Sequence, residues 1–197
     1  MIFLLACQQP DKDSSVRNEK DTSLREDTED TVDTDSEDSQ ENIADLDPSN
    51  LPQANSPCKE AQIVRVNRVV DGDTFYAQMG TREEKIRVIG INTPEIGYDG
   101  IPSECFANEA QQYVESLIKG KQIWLTFDVT CQDSYGRWLA YAHLGLEEED
   151  FLQRHLIRSG YGYAFPFDDT PTFNSDFVAD EQIAKQNQAG GWASCGW

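Results

Sequence analysis

The chain has 197 residues and a formal net charge of −20, with 36 Asp/Glu against 16 Lys/Arg. That length allows one domain with a sizeable core plus a tail. The acidity argues against a protein held to nucleic acid by nonspecific charge alone, and no stretch approaches the roughly 20 apolar residues of a membrane-spanning helix.

The charge is unevenly spread. Residues 1–57 hold four Lys/Arg and 15 Asp/Glu, a net of −11, and residues 58–197 carry the remaining −9. Met1-Ile-Phe-Leu-Leu-Ala-Cys7 is apolar, and Leu4-Leu5-Ala6-Cys7 resembles a bacterial lipobox, which makes Cys7 a lipidation candidate. The alternative is an apolar N-terminus without lipid. Residues 8–57 follow as a polar stretch, and Asp27–Glu41 contains a single apolar residue, Val32. Such a segment buries too little apolar surface to offset its ordering entropy, so it is expected to be a disordered, self-repelling acidic tether.

The folded domain is expected over 58–197. Ala61–Val70 reads as a strand because Val64 and Val66 alternate with Arg65 and Asn67. Asp71-Gly72 marks a turn, Phe75–Met79 and Lys85–Ile91 read as strands, and Gly80–Glu84 reads as the polar connection between them. Pro94 stops the third strand. Asn108–Lys119 has helical spacing, with Ala110, Tyr113, Val114 and Leu117 on one face and Gly120 beyond its end. Gln122–Phe127 and Trp138–Leu144 are further strands. Glu147–Ser159 is a second helix with an acidic first turn, and Phe173–Gln188 is a third. Three strands, a helix, two strands and two helices predict an α+β domain around a small barrel. His143 and His155 fall outside every motif and are expected to pack or face solvent.

Three segments carry chemistry: Val70-Asp-Gly-Asp-Thr74, Ile86-Arg-Val-Ile-Gly-Ile-Asn-Thr-Pro-Glu95 and Asp133-Ser-Tyr-Gly-Arg-Trp-Leu-Ala-Tyr141. They supply two acids (Asp73, Glu95), an amide and a hydroxyl (Asn92, Thr93) and two arginines (Arg87, Arg137). Oxygen donors suit a hard cation. Arginines suit a phosphate and the charge that grows on it, and a carboxylate can orient or deprotonate water. Together these are the parts needed for phosphodiester hydrolysis.

In this order the segments, with the Glu109-Ala110 pair, resemble the staphylococcal nuclease family from about Ile63 to Trp192. The resemblance implies a five-stranded OB-type β-barrel with three α-helices and Ca²⁺-dependent cleavage of DNA and RNA. It implies Asp73 and the Thr93 carbonyl as calcium ligands, Glu95 as holder of the water, and Arg87 and Arg137 on the scissile phosphate. Tyr135 would lie beside the nucleotide, with Tyr163 and Phe165 in the region of a base-stacking tyrosine. Two departures stand out. Asn92 occupies the place of a second calcium-binding aspartate, which keeps a carbonyl but removes a charge and predicts weaker calcium binding. The domain is also acidic where the best-known member is basic. These departures favour an alternative, a catalytically weak or inactive barrel that binds nucleic acid or protein.

Besides Cys7, four cysteines remain, an even number that suggests disulfides in an exported protein. No C-x-x-C pair is present, which argues against zinc. The implied fold suggests Cys58–Cys195 and Cys105–Cys131. The overall expectation is an exported, lipid-anchored, monomeric nuclease acting on DNA or RNA.

Overall fold

In the computed structural model of the chain, residues 42–197 are described. Cys7 and residues 8–41 of the expected tether lie outside them.

Strand β1 (Gln62–Val69) turns Val64 and Val66 inward and Arg65 outward, as its alternation predicts. A bulge between Val66 and Arg68 then exposes both Asn67 and Arg68 and returns Val69 to the interior. β1 pairs with β2 (Thr74–Met79), and β2 pairs with β3 (Arg82–Val88). The β2–β3 connection is shorter than the expected Gly80–Glu84. It is the pair Gly80-Thr81, with Gly80 at φ 62°, and Glu83 and Glu84 lie within the ladder opposite Gln78 and Ala77. The polar side chains of those glutamates conceal the strand from a hydrophobicity pattern.

β5 (Gln122–Thr126) and β6 (Trp138–His143) close the barrel in the order β1-β2-β3-β6-β5, with β3 and β6 parallel. Val64, Phe75, Ile86, Val88, Ile123 and Leu125 fill it. Between β3 and β5 in the chain, β4 (Gly90–Asn92) leaves the barrel and pairs with β7 (Tyr163–Phe165) in a separate two-stranded ribbon. Gly90 makes this departure possible: its φ is 81°, and a Cβ there would lie 2.5 Å from the Phe177 ring. Helix α1 (Ala107–Ile118) buries Ala107, Ala110, Val114 and Ile118. The five-stranded OB-type barrel with three helices, α1, α2 (Leu152–Arg158) and α3 (Asn174–Gln186), is as expected, with a further short turn of helix, α4 (Gly191–Ser194).

The second helix starts later than its periodicity predicts. Glu148–Asp150 forms a separate tight turn, and Phe151, fully buried against His143, Phe173 and Phe177, bridges to His143 before α2 begins.

Two expectations are corrected. The folded part does not begin at Cys58. Residues Ile43–Asp45 and Pro48–Asn50 form short helical turns capped by Asn42 and Asp47, and Leu51 and Ala54 are buried. The Trp124 indole donates to the Ile43 carbonyl (2.8 Å) and the Thr126 hydroxyl to the Pro52 carbonyl (3.3 Å). A few apolar anchors thus order a segment whose composition reads as tether. The disulfides are Cys58–Cys131 and Cys105–Cys195, not the pairs expected. The Cys58 amide bonds to the Asp128 carbonyl, which brings the start of β1 to the loop that holds Cys131. The chain after α4 folds back over the start of α1, where Trp197 meets Phe106 edge-on, so Cys195 reaches Cys105.

His143 packs in the core, with Nε2 2.7 Å from the Thr126 hydroxyl. Burial pulls its pKa down to about 3. A base depressed in the fold lends stability above its unfolded value of about 6.5, and that stability is lost as pH falls below it. Chemical denaturation of His143→Gln should therefore show weaker acid sensitivity than the parent. The difference between pH 7 and pH 4 should shrink by on the order of 3 kcal/mol. Parallel pH dependences would contradict a neutral buried His143.

Candidate active site

The site is built on the Val70–Thr74 turn. The Thr74 carbonyl accepts the amides of Val70 (2.8 Å) and Asp71 (3.3 Å), and the Asp71 carboxylate accepts the Asp73 amide (3.0 Å). Gly72 presses on Thr93, where a Cβ would meet the side chain at 2.7 Å. This close contact docks the turn on the end of β4. Asp73, 2% exposed, is held there by the Thr93 amide (2.9 Å) and hydroxyl (3.2 Å) on one oxygen and by the Thr74 hydroxyl (3.1 Å) on the other.

Arg87 lies opposite Thr74 across the β2–β3 pair. Its guanidinium reaches Asp73 (3.2 Å) and the Asn92 side-chain carbonyl (2.9 Å) and also donates to the Val88 carbonyl. The Asn92 amide in turn donates to the Tyr163 hydroxyl (2.8 Å), across the β4–β7 pair. Burial pushes the Asp73 acid up to about 7. Arg87 opposes the rise and the Asp71 charge adds to it.

Glu95 is exposed on the loop after β4. Its amide donates to the Glu104 carboxylate (2.9 Å) and its carbonyl accepts the Glu104 amide (3.0 Å), so Glu104 closes the loop at its base. Burial and the Asp71 charge hold the Glu95 carboxyl above its ordinary range, against the pull of Arg87. Arg137 comes from the turn before β6. Asp133 accepts the amides of Tyr135 and Arg137, each at 2.9 Å, and the Arg137 Nε at 2.7 Å. Burial alone would raise the Asp133 acid. The hydrogen bonds and charge of Arg137 outweigh that and hold it low.

Arg87, Asn92, Glu95, Arg137 and Phe165 line one cleft of about 500 Å³. Of the other expected site residues, Asp73 and Thr93 lie buried behind Arg87. Tyr135 is 84% exposed and shares a smaller hollow with Lys85 and Arg137. Tyr163 is half-buried, its hydroxyl on Asn92 and its ring edge-on to Trp197. Phe167 packs edge-on against Phe165 on the cleft wall. Sequence reasoning assigned no role to Asp71, Asp133 or Glu104. The two aspartates lie inside the quoted motifs. Glu104 carries no local signal, because its partner is nine residues away across a loop.

The described domain is thus a small closed barrel with one cleft lined by two arginines, Arg87 and Arg137, and three carboxylates, Glu95, Asp133 and Asp169. The chain belongs to the staphylococcal nuclease homologue family, whose pattern matches residues 85–194. It is 34% identical over 109 residues to the thermonuclease of Staphylococcus hyicus, which covers 52% of this chain and 64% of that protein. It is 27% identical over 141 residues to the SPbeta prophage-derived endonuclease YokF of Bacillus subtilis (strain 168), 71% of this chain and 47% of that protein. An uncharacterized protein of Methanocaldococcus jannaschii, MJ1439, is 29% identical over 146 residues, 65% of this chain and 70% of that protein. The matches span less than two thirds of the length of the Staphylococcus hyicus thermonuclease and of YokF.

Among the described residues, Arg87 is the cation paired with Asp73. An acid whose folded value lies above its unfolded value of about 4 destabilises the fold as pH rises between the two. Removing Arg87 moves the upper limit higher still. Arg87→Met, denatured in EDTA, should be less stable than the parent, with a pH-linked part of the deficit on the order of 1 kcal/mol at pH 8. The deficit should shrink towards pH 5, where Asp73 takes up a proton. A deficit independent of pH would show that Asp73 does not depend on that charge.

Proposed function

We propose that the chain is a calcium-dependent nuclease that hydrolyses phosphodiester bonds of DNA or RNA outside the cytoplasm. The observation that carries this reading is the convergence of Arg87, Arg137 and Glu95 on one cleft. Each arginine is aimed by a carboxylate behind it, Asp73 for Arg87 and Asp133 for Arg137. Two fixed guanidinium groups can grip the non-bridging oxygens of a phosphodiester and stabilise the charge that builds there. Glu95, with a raised acid, can orient a water and take its proton as the water oxygen bonds to phosphorus. The bond from phosphorus to the leaving oxygen then breaks, and that oxygen is protonated from solvent.

The donor chemistry fits a hard cation. Among the described residues no three His, Cys, Asp or Glu side chains cluster as metal ligands. The donors are instead the Asp73 carboxylate, the Asn92 side-chain carbonyl and the Thr93 main-chain carbonyl, all oxygens. The rise of the Asp73 acid to about 7, driven first by burial and then by the Asp71 charge, marks a desolvated carboxylate whose ionised form a cation would stabilise. Calcium there would act as a Lewis acid on the phosphate and its attacking water. Asn92→Asp adds a charge to this set and should tighten calcium binding in isothermal titration. Unchanged or weaker affinity would remove residue 92 from the donors.

The two disulfides support an exported setting. Lipid on Cys7 would join the monomeric domain to a membrane surface. A second reading, a binding barrel that has lost cleavage, is favoured by the Asn92 carbonyl, which already accepts from Arg87.

The test is direct. The oxidised full chain is incubated with plasmid and single-stranded DNA and with RNA, in millimolar Ca²⁺ and in EDTA, beside the Arg87→Ala/Glu95→Gln variant. Calcium-dependent cutting that the variant loses is the expected outcome. A folded chain that binds these polymers but leaves them intact at every calcium and salt concentration would favour the binding barrel.

A further inference from the structure

Resting on the nuclease reading, we propose that the outer face of β1–β3 is a track for the single-stranded nucleic acid that runs away from the scissile phosphate, with Arg68 and Lys85 as its phosphate contacts.

Arg68, Tyr76 and Lys85 form one row across three strands, since Arg68 lies opposite Tyr76 and Tyr76 opposite Lys85. Their chain neighbours Val69, Phe75, Ala77 and Ile86 are buried in the barrel, so the row itself faces outward. The Arg68 guanidinium lies 3.6 Å from the centre of the Tyr76 ring and the Lys85 ammonium 5.8 Å from it. Tyr76 is therefore a platform that holds two cations on one side of the sheet.

The row is continuous with the cleft. Lys85 and Arg87 are two residues apart on the same face of β3, about 6.6 Å along the strand. Lys85 also lines a hollow of about 270 Å³ with Tyr135 and Arg137. A strand gripped at Arg87 and Arg137 would pass Lys85 and then Arg68. The Tyr135 ring, 84% exposed, stands beside this path and can stack on an unpaired base but not on one inside a duplex.

Charge selects the occupant. Among the described residues, Arg87, Lys119, Arg137, Arg154, Arg158 and Lys185 are engaged in ion pairs. Lys59, Arg65, Arg68, Arg82, Lys85 and Lys121 are in none of these pairs, and Arg65, Arg68 and Lys85 lie together on the outward face of β1 and β3. On the neighbouring rung, Glu83 accepts from the Asn67 amide (2.7 Å). In a chain of net charge −20 this is a local basic face, and a polyanion is the partner it complements.

The experiment compares kcat/KM of the full chain and of Arg68→Gln/Lys85→Gln across a salt series, on an oligonucleotide of about 12 residues and on a dinucleotide. The variant should lose about tenfold on the longer strand at low salt. The slope of log kcat/KM against log salt should flatten by about 1.4, for two phosphate contacts on a single strand. Dinucleotide cleavage should be unchanged. The charge-preserving Arg68→Lys/Lys85→Arg chain should retain the parental slope, which separates charge from any defect in folding. A parental slope and rate in the Gln variant, with the parent cutting normally, would overturn the track alone. Faster cutting by that variant would assign the row to the chain's own acidic segment, residues 8–41, and would also overturn it. A parent that cuts neither substrate would sink the nuclease reading, and the track with it.

Discussion

The structure turns on a carboxylate that cannot be left alone. Asp73 is almost wholly removed from water, and an uncompensated charge in such a place is strongly unfavourable. Its partners come from three separate pieces of chain: Thr74 beside it, Arg87 on β3, and Thr93 at the end of β4. Satisfying one side chain therefore fixes the turn after β1, the middle of the barrel and the exit strand against each other. Arg87 then extends the constraint to Asn92, and Asn92 extends it to Tyr163 on β7. The ribbon that leaves the barrel is registered to the barrel by this polar chain as well as by its own ladder.

The same logic accounts for the charge of the domain. Net charge describes solubility and long-range attraction, but a cleft responds to what stands near it. Much acid of the domain is committed elsewhere. Asp180 is buried between Arg154 and Arg158, clamping α3 to α2, and Glu149 joins the same network from the turn before α2. Asp133 is spent on Arg137, which leaves that guanidinium aimed and a third exposed or less. An acidic chain can thus carry a local cluster of cations where acids such as Asp180 and Glu149 are paired with other arginines.

The parts legible in the sequence are those whose signal is local. Val64 and Val66 announce a strand, Ala110 and Val114 a helix, and the Asp-Gly pair a turn. Arg87, Asn92, Glu95 and Arg137, named from short motifs, do line one cleft. What was illegible depends on partners distant in the chain. Tyr163 and Phe165 read as candidates for base stacking, yet both are strand residues because β4 pairs with them. Leu51 and Ala54 are buried in a composition that reads as tether, and Trp124 and Thr126 of β5 hold the segment through the carbonyls of Ile43 and Pro52. The bulge at Asn67 has no signature in an alternation rule that assumes an unbroken ladder.

The disulfides show why element order alone is an unsafe guide to pairing. Termini lie close together in many small domains, and that tendency suggests joining Cys58 to Cys195. Each bridge instead braces a site loop: Cys58 holds the loop that leads to Arg137, and Cys195 holds the residue after Glu104. Glu95 is exposed and lies on a loop with no strand or helix of its own. Its position rests on the two hydrogen bonds with Glu104, and Glu104 is in turn held one residue away by the Cys105–Cys195 bond. A buried carboxylate fixes one wall of the cleft, and a covalent link to the chain end fixes the other. The proposed water-holding residue stands where these two constraints meet.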